Sequence, residues 1–372
     1  MTATETPADI DIDEQAAEAF AGRLFDLFTG AVLSALIDIA RRTGLFDAAA
    51  VGPATSSELA HRAGVQERYA REWLGAMATA GIVEYDADAD RFWLPREHAV
   101  CLTGDSPQNL SGLALRTILA DHVPGVTEAF RRGGGVLYDA FAPDIHDALD
   151  ALWGPIYSHL LVPEYLTLVP GLSERLATGT RVADVACGAG GALVALASAF
   201  PASTFVGYDL DGAALDRARV MAAERGLTNL SFEAADAAEL RIAEPFDVTF
   251  VFNAIHDQAR PVDALARIHD ALVPGGIFIM DEPRVSSRLE DNLDNPLAPF
   301  TYAVSTLHCL TVSLAAGGAG LGTAWGEQLA VQMLHDAGFG RVDVHDAPGD
   351  PGNALFVTTR DSTEARTGRS RS

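Results

Sequence analysis

Five apolar stretches in the second half of the chain have the length of buried strands, and helix-length segments separate them. They read VADV at 182–185, VGYD at the end of the second strand at 206–209, LSFEAADA at 230–237, PFDVTFVFN at 245–253 and IFIMD at 277–281. The fourth is apolar almost throughout, as is typical of a parallel strand covered on both faces. Strands that alternate with helices predict an α/β fold with a doubly wound parallel sheet.

The N-terminal part of the chain has helical rather than strand periodicity. Between residues 16 and 42, apolar side chains recur at helical spacing and cover more than one face: Phe20, Leu24, Leu27, Phe28, Leu33, Leu36 and Ile37. A helix with apolar residues on several faces needs more than one neighbour to cover them. We therefore expect this helix to take part in an interface as well as in a core.

Residues 55–94 predict a winged helix. The segment TSSELA at 55–60 has the pattern of a capped helix start, and Gly64 precedes a second helix through Tyr69, Trp73 and Met77. A short hairpin around 81–94 completes the pattern. Such a module either binds DNA or serves packing and dimerisation. The second helix lacks a dense basic face, which favours packing and dimerisation.

These patterns give the expected domain organisation. Residues 1–14 and 361–372 are polar, aperiodic tails that we expect to be disordered. A mainly α winged-helix domain spans 15–100, a helical linker that covers the site spans 101–172, and the α/β domain spans 173–360. An insertion at about 283–325 is the expected substrate cap.

Composition and charge restrict the partners. The formal net charge of −25 opposes binding to nucleic acid and to anionic membrane surfaces, since both depend on basic residues. The sequence shows neither a secretion signal nor, by inspection, an apolar run of membrane-spanning length, so we expect a cytoplasmic protein without membrane contact. Three scattered cysteines predict neither a disulfide framework nor a metal site.

The first strand and its turn indicate a nucleoside pocket. The turn at 186–191 reads ACGAGG, and Asp209 ends the next strand, where a carboxylate can accept hydrogen bonds from both ribose hydroxyls. Ala186 stands where a dinucleotide fingerprint needs its first glycine. Asp184, inside the first strand, would repel a pyrophosphate but suits a cationic ligand.

In this pattern the chain resembles the class I S-adenosylmethionine-dependent methyltransferases, whose first motif is acid-x-Gly-x-Gly-x-Gly. The match continues in register through Asp-Ala at the end of the third strand, the LVPGG turn at 272–276, and a terminal helix and antiparallel strands. The resemblance implies a seven-stranded Rossmann-like sheet, S-adenosylmethionine as cofactor and S-adenosylhomocysteine as product. It also implies a set of cofactor-binding residues: Asp184, Gly188, Gly190, Asp209, Leu210, Asp236, Ala237 and Asn253.

His256 is the candidate general base. It follows the fourth strand in the sequence HDQ, and its unperturbed pKa lies near neutrality. The chain is similar here to small-molecule O-methyltransferases with an N-terminal winged-helix dimerisation domain, which place a base histidine in a His-Asp-Trp motif. That resemblance implies a homodimer, and it assigns the acid that orients His256 to Asp281. Gln258 replaces the family's tryptophan, and GLGT at 320–323 replaces its Gly-x-Glu-Arg element. The subgroup with His-Asp-Gln is largely bacterial, with unassigned acceptors.

Four aromatic and imidazole side chains are candidates for contact with the acceptor: Tyr157, Tyr302, His308 and Trp325. They either line an apolar acceptor pocket or pack the cap. The expected function is methyl transfer to a small molecule, with a hydroxyl oxygen as the receiving atom and nitrogen or carbon still open. The alternatives are a winged-helix transcriptional regulator that senses the cofactor and a cofactor-binding scaffold without catalysis.

Overall fold

A computed structural model describes residues 12–115, 119–142 and 144–361, with the side chain of Leu115 left out. The chain divides into two compact units, Met1–Thr103 and Gly104–Ser372. The predicted disordered tails lie outside the described residues, apart from residues 12–14 and 361. Asp13 and Glu14 already belong to a helix start, since the Asp13 side chain accepts a hydrogen bond from the Ala16 amide.

The first unit has the winged-helix order that the sequence predicts. Its elements are α1 (Glu14–Thr43), α2 (Leu45–Ala50), α3 (Ser56–Ala63), α4 (Glu67–Thr79), the antiparallel pair β1 (Glu84–Asp86) and β2 (Arg91–Trp93), and α5 (Arg96–Leu102). A capping box between Thr55 and Glu58 begins α3, as the segment TSSELA indicated. Phe46, Trp73, Leu74 and Met77 are buried in the core of this unit.

Most of α1 is exposed within the chain. Its exposed apolar side chains are Phe20, Phe25, Leu27, Phe28, Val32 and Ile39. Among the described residues α1 is the helix that is long and apolar enough to cross a membrane, so the expectation that the sequence contains no run of that length was wrong. Length and composition are weak evidence of a membrane span, and a solvent-exposed apolar helix equally suits a protein interface.

The second helix of the winged pattern carries balanced charges. On α4, Arg68 pairs with Glu72 and Arg71 pairs with Glu67 across one helical turn. Each arginine is thereby matched by a carboxylate on the same surface. Helices that bind phosphate backbones present unmatched arginine and lysine instead.

The second unit begins with helices that lead into the sheet. They are a 3-10 turn at Ser111–Leu115, α6 (Val123–Arg132), a 3-10 turn at Tyr138–Ala140, α7 (Asp144–Ile156), a π-helical turn at Tyr157–Leu161, a 3-10 turn at Tyr165–Leu168 and α8 (Leu172–Thr178). Pro155 lies inside α7 next to the π turn. Proline lacks an amide hydrogen, so the regular helical hydrogen-bond pattern is interrupted where the wider turn begins.

A seven-stranded sheet follows, with the order β5-β4-β3-β6-β7-β9-β8. Its strands are β3 (Arg181–Val185), β4 (Thr204–Asp209), β5 (Leu230–Ala234), β6 (Phe246–Phe252), β7 (Leu272–Pro283), β8 (Asp343–Asp346) and β9 (Asn353–Thr359). The first five strands pair in parallel, and β9 is antiparallel to both β7 and β8. This confirms the Rossmann-like methyltransferase sheet.

Helices cover the sheet, and a helical segment occupies the insertion. The helices that cover the sheet are α9 (Gly191–Ala199), α10 (Gly212–Glu224), α11 (Pro261–Ala271) and α14 (Glu327–Asp336). The insertion, which precedes α14, contains a 3-10 turn at Leu289–Asn292, α12 (Ala298–Val304), a π-helical turn at Ser305–Cys309 and α13 (Leu310–Ala315). Successive residues of one strand face opposite layers: Phe250 and Ile279 lie in one core cluster, and Val251 and Met280 lie in the other.

Candidate functional site

A cavity of about 1230 Å³ lies at the carboxyl ends of β3, β4 and β6. The strand order reverses at β3, with β4 on one side and β6 on the other, and a crevice of this kind is where doubly wound sheets bind ligands. Drug-sized ligands occupy pockets of about 300–1000 Å³. The cavity therefore has room for a nucleoside cofactor together with a second molecule.

The glycine turn after β3 borders this cavity and is fixed to the next strand. Gly188 and Gly190 have φ values of +52° and +76°, in the left-handed region that favours glycine. A Cβ on Gly190 would lie 2.7 Å from the Phe232 ring, so a side chain there is excluded. Ala186 adopts φ +62° without being glycine. Such strain persists where surrounding structure enforces it, and it often marks a ligand site.

Asp209 links the turn to the end of β4. Its carboxylate accepts hydrogen bonds from the Gly188 amide at 2.7 Å and from the Asp211 amide at 2.8 Å. Burial raises its pKa, although these amide donors act in the opposite direction. A carboxylate offers about four acceptor positions, so two remain for ligand hydroxyls. Leu210, the next residue, also lines the cavity but is largely exposed at its rim.

The residues predicted for the adenine end lie at the cavity wall in a turn after β5. Asp236 accepts a hydrogen bond from the Ala238 amide at 2.8 Å, and its second oxygen accepts one from Arg260 at 2.8 Å. Arg260 also contacts Glu239. Arg260 was not predicted from the sequence, because no motif surrounds it. Its guanidinium engages one of the two oxygens of the Asp236 carboxylate.

Two polar side chains deep in the cavity wall have unsatisfied atoms. Asp184 is 2% exposed, and its Oδ1 has no hydrogen-bond partner in the described structure. Burial raises its pKa well above the usual value, with a further contribution from Asp209. Asn253, at φ +52°, accepts a hydrogen bond from Asn353 at 3.0 Å while its own Nδ2 has no partner. A buried polar atom of this kind indicates a place for a ligand donor or acceptor.

His256 lies in a 3-10 turn after β6 and is paired with Glu282. The distance from His256 Nδ1 to Glu282 Oε2 is 2.5 Å, and the other carboxylate oxygen accepts a hydrogen bond from the Ile255 amide at 2.8 Å. Burial by itself would lower the pKa of His256, but the Glu282 charge and the Cys309 side chain outweigh it, so the pKa is raised well above its usual value.

The acid that pairs with His256 is therefore Glu282, and the expectation that Asp281 forms this pair was wrong. Side chains of adjacent strand residues point to opposite faces of the sheet. Glu282 faces the turn that holds His256, whereas the pKa of Asp281 is raised by burial and, in addition, by the charges of Asp350 and of Glu282 itself. The sequence places both acids at the end of β7, but a one-residue difference in the strand end decides which one faces the histidine.

Tyr157 and His308 line the cavity, and both lie in π-helical turns. The Tyr157 ring packs 5.2 Å from that of Phe252. His308 packs edge-on against Phe141, with ring centroids 4.7 Å apart, and its Nε2 has no partner. Burial lowers the pKa of His308 to about 4, and His256 adds to the effect. His308 is therefore a neutral ring at ordinary pH.

Tyr302 and Trp325, the other two candidates, do not line the cavity. The Tyr302 hydroxyl accepts a hydrogen bond from Asn292 at 3.3 Å within the cap. Trp325 is buried in a core cluster together with Phe278 and Met280. Both side chains therefore make packing contacts within the protein and do not border the cavity, in agreement with the second alternative given for them.

The remaining wall of the cavity is helical and apolar. We call it the acceptor wall, and it consists of Leu113, Leu119, Ile145, Leu149, Leu152, Phe300, Val304 and Val312. These residues come from the segments before β3 and from the insertion. Within the described residues, no group of three or more His, Cys, Asp or Glu side chains has the geometry to hold a metal ion.

In the comparison with known proteins, the two parts of the chain match two different family models. The family model of the Rv2258c-like winged HTH domain matches residues 31–104, and a methyltransferase domain model matches residues 176–338. A trans-aconitate 2-methyltransferase of Sinorhizobium fredii is 32% identical over 113 residues, which is 30% of this chain and 39% of that protein. The chain thus spans less than half the length of the first curated relatives that it matches.

Solved structures match over nearly the whole chain. An O-methyltransferase family protein from Burkholderia thailandensis has a TM-score of 0.69 at 20% identity, covering 92% of this chain and 99% of its own. Human N-acetylserotonin methyltransferase, solved in complex with S-adenosylmethionine, has a TM-score of 0.62 at 18% identity. The match covers 98% of this chain and 100% of that one. At these identities the likeness concerns the fold. The chain therefore joins a winged helix-turn-helix domain to a methyltransferase domain of the Rossmann-like class I fold.

Proposed function

We propose that this protein transfers a methyl group from S-adenosylmethionine to a hydroxyl oxygen of a small molecule, with His256 as general base. The observation that carries the proposal is the buried His256–Glu282 pair in the wall of the same cavity that the glycine turn and Asp209 border. A base and a nucleoside pocket in one cavity provide the two requirements of oxygen methylation.

The residues present fit the cofactor. Asp209 would bind the ribose hydroxyls, and Asp236 and Ala237 would border the adenine. Gly188 and Gly190 leave room for the ligand beside the backbone. Asp184 Oδ1 is an acceptor without a partner, and Asn253 Nδ2 is a donor without a partner. The charged amino-acid end of the cofactor would lie next to these two atoms. When bound, S-adenosylmethionine supplies an electrophilic methyl group on a sulfonium.

His256 would remove the proton of the acceptor hydroxyl. Because Nδ1 is engaged by Glu282, the acceptor hydroxyl would approach Nε2, beside the Cys309 side chain that also interacts with the imidazole. His256 would take up the hydroxyl proton while the acceptor oxygen receives the methyl group, and the sulfonium would become a neutral thioether. The Glu282 carboxylate then stabilises the imidazolium in a buried setting, where the interaction of opposite charges is strong.

The cavity favours an acceptor with an apolar body and without negative charge. The acceptor wall buries apolar surface, while acidic side chains surround the cavity: Asp139, Asp150, Asp184, Asp209, Asp211, Asp236, Asp257 and Asp350. Arg260, one of the few cations there, is already paired with two acids. A polycarboxylate such as trans-aconitate would meet like charge.

The test has two stages with separate readouts. Calorimetric titration with S-adenosylhomocysteine tests the cofactor site, and transfer of labelled methyl groups to a panel of neutral hydroxyl compounds tests the reaction. We expect His256→Ala to bind S-adenosylhomocysteine normally and to lose labelled transfer about a hundredfold or more. His335→Ala, a change on the exposed side of α14, serves as control. Transfer that survives His256→Ala unchanged would remove the base from the proposal.

A second copy of the chain is the proposed partner of α1. The exposed side chains of Phe25, Leu27, Phe28 and Val32 form an apolar surface that a monomer would leave in water. Sedimentation at micromolar concentration should give a dimer, and Phe28→Asp should shift it to monomer. A monomeric wild-type protein would contradict this part of the proposal.

A further inference from the structure

The turn between β8 and β9, residues 347–352, reaches the cavity from the far edge of the sheet. Ala347 is buried in the core cluster that Ile279 also joins. Gly349 has φ +74° and packs against Leu160 of the π-helical turn so closely that a Cβ would collide with it. This close packing holds the turn in place. The next residue, Asp350, forms part of the cavity wall together with Gly349 and Asn353.

Asp350 is buried, and only one of its two carboxylate oxygens has a hydrogen-bond partner. It is 9% exposed, and its Oδ1 accepts a hydrogen bond from the Gly352 amide at 3.0 Å. Its Oδ2 is buried without a partner. Burial raises the pKa of Asp350 to about 6, with the Gly352 amide acting in the opposite direction. A cation beside Oδ2 would therefore stabilise its charged form.

Among the described residues, the groups around Asp350 provide further acceptors, and no cation acts on its pKa. Asp281 and the Tyr165 hydroxyl both lie within its electrostatic reach, and each has a buried oxygen without a partner. The Tyr157 hydroxyl lies among the charges of Asp281, Asp184 and Asp350. Across the described ranges 12–115, 119–142 and 144–361, neither arginine nor histidine forms an ion pair with any of these three acids. A ligand group that carries hydrogen-bond donors would satisfy these oxygens, and positive charge on that group would stabilise their ionised forms.

Sheet order gives the direction in which a bound cofactor would extend. The adenosine contacts lie at the ends of β4 and β5, on one side of β3, and Asn253 follows β6 on the other side. Neighbouring strands are about 4.8 Å apart, so the site from β4 to β6 spans roughly 10 Å. Asn253 is hydrogen-bonded to Asn353 at the start of β9, three residues after Asp350. The amino-acid end of the cofactor would thus face this turn.

We propose that Asp350 binds the ammonium group of the amino-acid end of S-adenosylmethionine, which makes the last hairpin of the sheet part of the cofactor site. This inference rests on the proposed function. An ammonium group has three donors, enough for Asp350 Oδ2 and for a second unsatisfied oxygen of the cluster, such as that of Asp184.

Calorimetry with two ligands and three proteins tests the proposal without any acceptor. The ligands are S-adenosylhomocysteine and its deaminated analogue, which keeps the adenosine, the sulfur and the carboxylate but lacks the ammonium. The proteins are the wild type, Asp350→Asn and the control Asp346→Asn. Asp346 lies on the same hairpin, is exposed and pairs with Arg284, so the control removes the same formal charge away from the cavity.

We expect the wild type to bind S-adenosylhomocysteine at least tenfold more tightly than the deaminated analogue, as for a charged buried hydrogen bond. Asp350→Asn should lose most of that factor for S-adenosylhomocysteine and nothing further for the analogue, while Asp346→Asn should match the wild type. The wild-type measurement with two ligands does not depend on how well a variant folds.

Two results would overturn the assignment. Equal weakening of both ligands by Asp350→Asn would mean a structural role for Asp350, and unchanged binding of S-adenosylhomocysteine would mean no role in the site. Both leave the proposed function intact. If the wild type binds neither ligand, the proposed function itself fails, and the inference fails with it.

Discussion

The two walls of the cavity are built in different ways. The wall formed by strand ends carries Asp184, Asp209, Asn253 and His256, each at the end of a parallel strand or within four residues of it. The acceptor wall is apolar and comes from helical segments on both sides of the sheet sequence. The strand-end wall supplies polar groups that would serve any acceptor. The acceptor wall would instead select an acceptor by the shape of its apolar surface.

This contrast explains why motifs identify the methyltransferase domain while the acceptor wall carries no motif. Parallel strands bring their carboxyl ends to one edge, so short motifs at strand ends predict a shared site. The acceptor wall has no such rule, because its residues meet only after α7 and the insertion have packed. The two walls should accordingly respond differently to substitution.

The largest expected effect is on the strand-end wall, from Glu282→Gln. The amide can still accept the hydrogen bond of the Ile255 amide group, but it lacks the charge that stabilises protonated His256. We expect the methyl-transfer rate to fall about a hundredfold or more with S-adenosylhomocysteine affinity unchanged. Single-turnover transfer and calorimetry measure the two quantities separately.

The pH profile distinguishes this role from a structural one. Since the pKa of His256 is raised in the wild type, the protonated, inactive form persists to higher pH, and the rate should rise with pH until His256 loses its proton. Without the Glu282 charge that pKa falls, so the rise in Glu282→Gln should move to lower pH and reach a lower plateau. Profiles of the two proteins that rise at the same pH would contradict the pairing.

A smaller effect is expected on the acceptor wall, from Leu149→Ala. The substitution removes apolar contact area, so KM for an apolar acceptor should rise roughly five- to tenfold. The rate at saturation and the affinity for S-adenosylhomocysteine should stay close to those of the wild type. Steady-state kinetics over a range of acceptor concentrations checks this.

Leu314→Ala is the matched control, since Leu314 lies on α13 but does not line the cavity. It should leave KM unchanged. If Leu149→Ala instead weakened cofactor binding as much as acceptor binding, the division of the cavity into two walls with separate roles would be incorrect.

Sequence patterns predicted most of the strand-end wall and little of the rest. The positions of the glycine turn, Asp209 and His256 followed from motif spacing along strands whose order the fold fixes. The choice between Asp281 and Glu282 did not, since both are acids at one strand end and only the face of the sheet separates them. His308 lies in the wall, while Trp325 is buried in a core cluster and Tyr302 contacts Asn292 within the cap, because helix packing decides which side chains of the insertion face the cavity.

The sequence by itself determined the two-part organisation, the parallel sheet and the strand-end residues proposed to bind the nucleoside, because those depend on local periodicity and on residues close to strand ends. Tertiary structure decided the partner of His256, the makeup of the acceptor wall and the arrival of Asp350 at the cavity. The physical reason is distance along the chain: Asp350 follows Asp184 by more than 160 residues. Only the antiparallel return of β9 alongside β7 brings the two to one cavity.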